Sequence, residues 1–497
     1  MVDCRKDYLH NDDGFWCKMI NVQLKKIYLK RGGIGAFSVC VLIASWIYYA
    51  TLIFDSNLRL FASIIYLFSS LAIFINSAKS SRRDEGPILL LGVAFITFAW
   101  ARIVLGAIER DIFDLSYFEL QTGYSLSMHE VQVYFDAMIA TIICYATYLL
   151  ASVWAKVDNY SDYKVRIIGD ARVKYFGIIF CIGAIFSIIQ ALFYFRFYAS
   201  GGGYNESYLK GGYDIAFPGA SFLAGLLFIG FVGICLFGAN ARTGKFYLFT
   251  FVLLTLLQLV KGSRGEVFTQ LLVGIWFFYR SQNRSLPKVT LLLGGVFLVA
   301  LAEAVSYIRV GQDLNFAGVG VWDKAKWFFY TQGVSGEIVG VSAEKLKVGL
   351  DATVYFLAPL LSAGYLFSGA LSGGMSLLEA SNSGIFSHEL SAFLFPLGYM
   401  QGQGIGSSYI AEAHHVIGIP GIVVSTAMLL TFVDGGNRLC KLSPYFYGAY
   451  ICALPYMLFV PRETLFYFVA PLIKAFFIFT LARFFYGRRS HGGYSHI

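Results

Sequence analysis

Long apolar runs separated by short polar connections dominate the chain. Runs long enough to cross roughly 30 Å of hydrocarbon fall around 34–54, 58–76, 87–108, 132–155, 173–194 and 216–238. Six more fall around 246–260, 266–280, 289–308, 416–432, 444–460 and 465–482, some short enough to stand nearly upright in the bilayer. The runs are continuous rather than alternating, and in lipid a helix satisfies its own backbone groups, so the pattern predicts helices and no strand architecture. The expected fold class is an all-α polytopic membrane protein of about twelve transmembrane helices. A polar tail precedes the first run and no small-residue cleavage site follows it, which reads as a retained helix and not a signal peptide. Within that tail Trp16, Ile20, Leu24, Ile27 and Tyr28 recur at helical spacing among lysines, as in a helix lying on a membrane surface.

Composition supports the same class. Hydrophobic residues make up 57% and charged residues 14%, and the mean hydropathy is +0.63, too apolar for a soluble globular chain. Orientation follows from the basic residues in the connections. With the N-terminus inside, the cytoplasmic segments hold about 25 Lys and Arg, against about 7 in the short outer connections and about 5 in one long outer loop. The organisation expected is a cytoplasmic tail over 1–33 with the interfacial helix, spans one to nine over 34–308 and a large periplasmic loop over 309–415. Spans ten to twelve then cover 416–482, and 483–497 forms a cytoplasmic tail. The net charge of +9 is mostly this asymmetry together with contact to anionic lipid, and gives no reason to invoke nucleic acid.

Cys4, Cys17 and Cys440 fall in inner segments, and Cys40, Cys144, Cys181, Cys235 and Cys452 within spans. That placement argues against a disulfide framework, and no Cys/His spacing resembles a zinc site.

The charges away from the inner loops carry the chemistry. Arg264 in KGSRGEVF lies between the seventh and eighth runs, Arg309 closes the ninth, and Arg462 with Glu463 occupies the turn between the last two. All three arginines reach the outer edge against the positive-inside bias. Gly262 and Gly265 beside Arg264, and Pro461 before Arg462, allow sharp turns with backbone N–H groups open to an anion. The plainer reading is that these arginines snorkel and anchor helix ends. Arg102, Asp136 and Glu303 lie deeper in the outer leaflet, Glu303 about 9 Å of helix below Arg309. Such groups mark a functional site or a structural pair between Arg102 and a carboxylate. Lys474 is placed in the inner half of the last span, within snorkelling reach of the cytoplasm.

The 309–415 loop is too apolar to be disordered, and VWDKAKWFF and YFLAPLLSAGYLF read as helices along or dipping into the membrane surface. Beyond them His388, Glu389, Glu412, His414 and His415 alternate with glycine-rich backbone. GQGIGSS has no preceding strand and is a close-approach loop, not a dinucleotide fingerprint.

At KGSRGEVF, GQGIGSSYIAEAHHVIGIPG and VPRETLFYFV the sequence resembles the Wzy family of oligosaccharide repeat-unit polymerases, which includes the O-antigen polymerases. The resemblance implies a glycosyltransferase C-like membrane fold in the bacterial inner membrane with both termini cytoplasmic. It implies a metal-independent, cofactor-free glycosyl transfer on the periplasmic face. Growing glycan on undecaprenyl diphosphate would pass to a hydroxyl of an incoming lipid-linked repeat unit. Arg264, Arg309 and Arg462 would then clamp the leaving diphosphate, with Glu463 orienting Arg462. His388, Glu412 or His415, in that order of preference, would accept the hydroxyl proton. Tyr204, Tyr208 and Tyr213 could stack on sugars. The partners implied are the lipid-linked oligosaccharide, the bilayer and a chain-length regulator. An O-antigen ligase is the nearest alternative. A flippase or transporter would call for internal repeats and discontinuous helices about a midplane site, and the sequence shows neither.

Overall fold

Every predicted apolar run that falls on described residues becomes helical, and no strand occurs among them. A computed structural model of the chain describes residues 56–81, 86–108, 126–154, 170–200, 219–238, 241–262, 264–282, 284, 321–343, 346, 348–358, 376–402 and 404–487. The interfacial helix, the first and ninth predicted spans, Glu303, Arg309 and the tyrosines at 204, 208 and 213 lie outside the described residues.

The long helices are α1 (Ser56–Ser81), α2 (Gly86–Phe98), α3 (Ala101–Ile108), α4 (Met128–Trp154) and α5 (Asp170–Ala199). They continue as α6 (Ala220–Ala224), α7 (Leu226–Phe237), α8 (Ala241–Leu257) and α9 (Arg264–Ser281). The segment read as an outer loop supplies α10 (Val321–Gln332), α11 (Val334–Ser342), α12 (Leu377–Asn382), α13 (Phe386–Leu394), α14 (Pro396–Met400) and α15 (Tyr409–Ile417). The chain closes with α16 (Ile419–Leu442), α17 (Pro444–Phe459) and α18 (Val469–Gly487).

Seven helices among the described residues are long and apolar enough to cross a bilayer. Burial sorts them into two shells. The spans in α4, α6–α7 and α16 are 72%, 78% and 61% buried, whereas those in α1, α5, α8 and α18 are 22–33% buried and turn most of their surface outward. Hydrophobicity cannot drive helix against helix in lipid, so close backbone approach matters more. A Cβ on Gly183 of α5 would lie 2.0 Å from the Leu227 backbone nitrogen, and one on Gly230 of α7 would lie 2.4 Å from that of Phe180. Glycine at these positions is what lets α5 and α7 touch. At the centre, α17 is packed against α7, α9, α16 and α18.

Two spans are broken, against the expectation of continuous helices. The third predicted span parts at Ala99–Trp100, where the Trp100 amide donates to the Phe95 carbonyl and the Trp100 ring stacks on Phe95 at 4.9 Å. The sixth parts at Gly225 between α6 and α7. Neither break carries a proline or charge that a reading of hydropathy could register.

The start of α4 is set by a capping box. Ser127 Oγ accepts from the Glu130 amide at 3.2 Å, and Glu130 Oε2 accepts from the Ser127 amide at 2.7 Å. VWDKAKWFF forms most of α10, which leads into α11. All nine residues of α11 are buried. A Cβ on Gly340 would lie 2.3 Å from the Glu130 carbonyl oxygen and one on Gly336 2.9 Å from that of Ala99, so this glycine face docks directly on the starts of α3 and α4.

Candidate functional site

The turns and short helices at one end of the bundle bring the predicted groups together. Arg264 is the first residue of α9, reached through a short 3-10 segment and Gly262, whose φ of 96° is a conformation glycine adopts without strain. Gly265 follows it inside α9. Its contribution is packing, since a Cβ there would lie 2.2 Å from the Phe459 ring of α17. Arg462 ends the 3-10 segment Val460–Arg462 that continues α17.

Arg462 Nη1 donates to Gln332 Oε1 at 2.7 Å. Gln332 also lines a narrow cleft of about 20 Å³ together with Arg264, Phe328 and Gly265. One amide, from the end of α10, therefore bonds one arginine and shares a cleft with the other. Arg462 itself is partly buried, and Gln332 is buried.

A row of carboxyls lies beside the arginines. Glu463 is partly buried, and burial together with the nearby Glu266 pushes its pKa up to about 8 while Arg462 opposes the rise. Glu412, on α15, is fully buried and held well above the ordinary carboxylate range by burial, with a smaller contribution from Glu463 and an opposing hydrogen bond. That bond comes from Ser407 Oγ at 2.8 Å. The neighbouring Ser408 Oγ donates to the Pro461 carbonyl at 3.1 Å, which ties the GQGIGSS loop to the Arg462 turn. Glu266, two residues after Arg264, accepts from the Tyr467 hydroxyl.

The histidines are placed differently. His388 Nδ1 pairs with the Tyr399 hydroxyl at 2.6 Å across the corner between α13 and α14. His415 is buried against the Phe386 ring, and its pKa falls to about 4, mainly through burial and then through His414. His414 is likewise lowered by burial and by His129.

Arg102 forms an ion pair with the fully buried Glu337 of α11. Its Nε also donates to the Tyr330 carbonyl at 2.8 Å, and the guanidinium sits 4.1 Å from the centre of the Tyr330 ring. The group thus joins the α3 break to the α10–α11 corner that presents Gln332. Asp136 is taken instead by Arg59, at 2.9 Å. Lys474 reaches the Phe222 carbonyl and ring, 3.9 Å from the ring centre, near the start of α6. Its amine therefore points to the arginine-bearing end of the bundle, opposite to the direction read from the sequence.

Gln332 and Glu337 escape sequence reasoning because nothing local distinguishes them from other polar residues of the long loop. Glu266 does carry a sequence signal, its place in KGSRGEVF two residues after Arg264. Among the described residues no cluster of three or more His, Cys, Asp or Glu is arranged to hold a metal ion.

Comparison with known families supplies one match, in which the model described as O-antigen polysaccharide polymerase Wzy covers residues 34–490. No curated protein and no solved structure matches the chain.

Proposed function

The chain belongs to the O-antigen polysaccharide polymerase Wzy family, and we propose that it joins undecaprenyl-diphosphate-linked oligosaccharide repeat units at the arginine cluster described above. In this reading the arginine-bearing end faces the periplasm of the bacterial inner membrane and both termini are cytoplasmic, as the basic-residue asymmetry favours. The observation that carries the proposal is that Gln332 bonds Arg462 and lines a cleft with Arg264, with Glu463 following Arg462 in the chain and Glu412 within electrostatic reach of Glu463.

The chemistry follows from the charges. A hydroxyl of the acceptor repeat unit attacks the anomeric carbon of the donor glycan, a C–O bond forms, and the bond to the diphosphate oxygen breaks with its electron pair. Undecaprenyl diphosphate leaves with more negative charge than it had as an ester. Two preorganised guanidinium groups meet that charge where it develops, so the step we propose uses no metal ion. Arg309, outside the described residues, remains a third proposed member of the clamp.

The hydroxyl proton goes to a carboxylate. Glu463 stands next to Arg462, and a pKa of about 8 is close to the working pH, where a general base is most effective. Glu412, buried one step further in, is positioned to exchange that proton through the row. A ring with a pKa near 4, as in His415, is a weak base for this task, and His388 is engaged with Tyr399.

The lipopolysaccharide ladder of a deletion strain tests the proposal. Loss of the polymerase leaves core carrying a single repeat unit. Bare core with accumulating lipid-linked polymer would instead indicate a ligase, and absence of both products would indicate a flippase.

A further inference from the structure

Behind the arginine cleft, on the other side of the first turns of α9, lies a second and larger cavity of about 230 Å³. A helical bundle that faces lipid has no packing reason to enclose polar side chains, yet Gln190, Ser221, Gln258, Lys261, Glu266 and Gln270 all line it. They come from α5, α6, the 3-10 segment after α8, and α9. At about 30 Å³ per water the space equals about eight waters, on the scale of one monosaccharide ring.

We propose that this cavity is a saccharide subsite, which holds an uncharged sugar ring of the lipid-linked glycan. This rests on the polymerase reading and names the part of the substrate that the cavity takes.

The lining chemistry favours a neutral polyol over an anion. Lys261 and Glu266 offset each other, and Lys474 lies behind Gly225 with its amine given to the Phe222 carbonyl. The arginine cleft has no such offset within its lining. Three primary amides supply donor and acceptor side by side, the arrangement that vicinal hydroxyls match. Ser221 Oγ is already oriented, lying 2.8 Å from Gln190 Nε2 and 3.1 Å from Lys261 Nζ, so the wall is held together across α5, α6 and the 3-10 segment. Phe228 and the Tyr456 and Tyr467 rings, the last two with centroids 5.7 Å apart, add faces for the C–H side of a sugar. Arg264 and Gly265 line one space and Glu266 and Gln270 the other, so the two spaces adjoin different faces of the first turns of α9.

The test is direct binding, separate from polymer synthesis. The probe is the repeat-unit oligosaccharide released by mild acid from the host strain's own lipid-linked repeat unit, added to the full-length protein in detergent and read by saturation-transfer NMR. Transfer to the sugar protons is expected with wild type, and is expected to fall at least fivefold in Gln258→Leu and Gln270→Leu. No transfer with wild type, or undiminished transfer in both leucine variants, overturns the proposal. If the leucine variants melt early, Gln258→Asn and Gln270→Asn decide, because they keep the amide and withdraw it by one methylene. Weakened transfer in these supports the subsite and full transfer overturns it. A deletion strain with a normal ladder would refute the polymerase reading whatever the sugar does, so the two failures are distinguishable.

Discussion

Replacing Arg462 by lysine separates the charge of the proposed clamp from its geometry. The guanidinium gives Nη1 to Gln332 at 2.7 Å and presents its donors in one fixed plane. Lysine retains the positive charge but offers a point donor that cannot bond Gln332 and bridge the leaving group in the same orientation. A hydrogen bond to a charged group contributes about 1.5–3 kcal/mol, so losing one at the transition state slows elongation by about tenfold to a hundredfold. Alanine removes the charge as well, and a loss on the order of a thousandfold is expected. Gln332→Leu leaves the arginine but frees it to reorient, with an expected loss within about tenfold. The assay is the length distribution of surface polymer in a complemented deletion strain, with membrane abundance of each variant measured by an epitope tag. Normal ladders at equal abundance for Arg462→Lys and Arg264→Lys would refute the clamp, because helix-end anchors accept lysine freely.

Three further outcomes are expected. Glu463 holds its proton in the folded protein from its ordinary value of 4.5 up to about 8, so this group's contribution to stability falls as pH rises through that window, by at most about 1.4 kcal/mol per unit; thermal unfolding in detergent of Glu463→Gln should show a flatter pH dependence, and wild-type polymerisation should rise with pH toward 8. Arg102→Met strands Glu337 and should cost about 3–5 kcal/mol in the same unfolding assay, whereas adding Glu337→Met should recover most of it, and an unchanged melting point in the single variant would contradict the pair. For sidedness, cysteines at the exposed Leu350 and Leu378 should react with an impermeant thiol reagent in spheroplasts of a cysteine-free version and one at the exposed Thr243 should not, the reverse pattern overturning the proposed orientation.

Sequence alone determined the helical class, because continuous apolar runs in lipid admit no other local structure, and it set most helix limits to within a few residues. The run predicted at 444–460 is α17 at Pro444–Phe459, and that at 266–280 is α9 at Arg264–Ser281. It also singled out Arg264, Arg462 and Glu463, since charges beside glycine or proline turns stand out against an apolar background. Tertiary structure decided which groups meet. Gln332 lies 130 residues from Arg462, and Glu337 lies 235 residues from Arg102, so no periodicity could pair them. The burial of α11 depended on Gly336 and Gly340 facing the starts of α3 and α4, and the polar cavity drew its amides from separate helices, each inconspicuous in its own segment. Hydropathy reports how each stretch partitions between water and lipid. Proton affinities and partners depend on distances between stretches, and those exist only once the helices have packed.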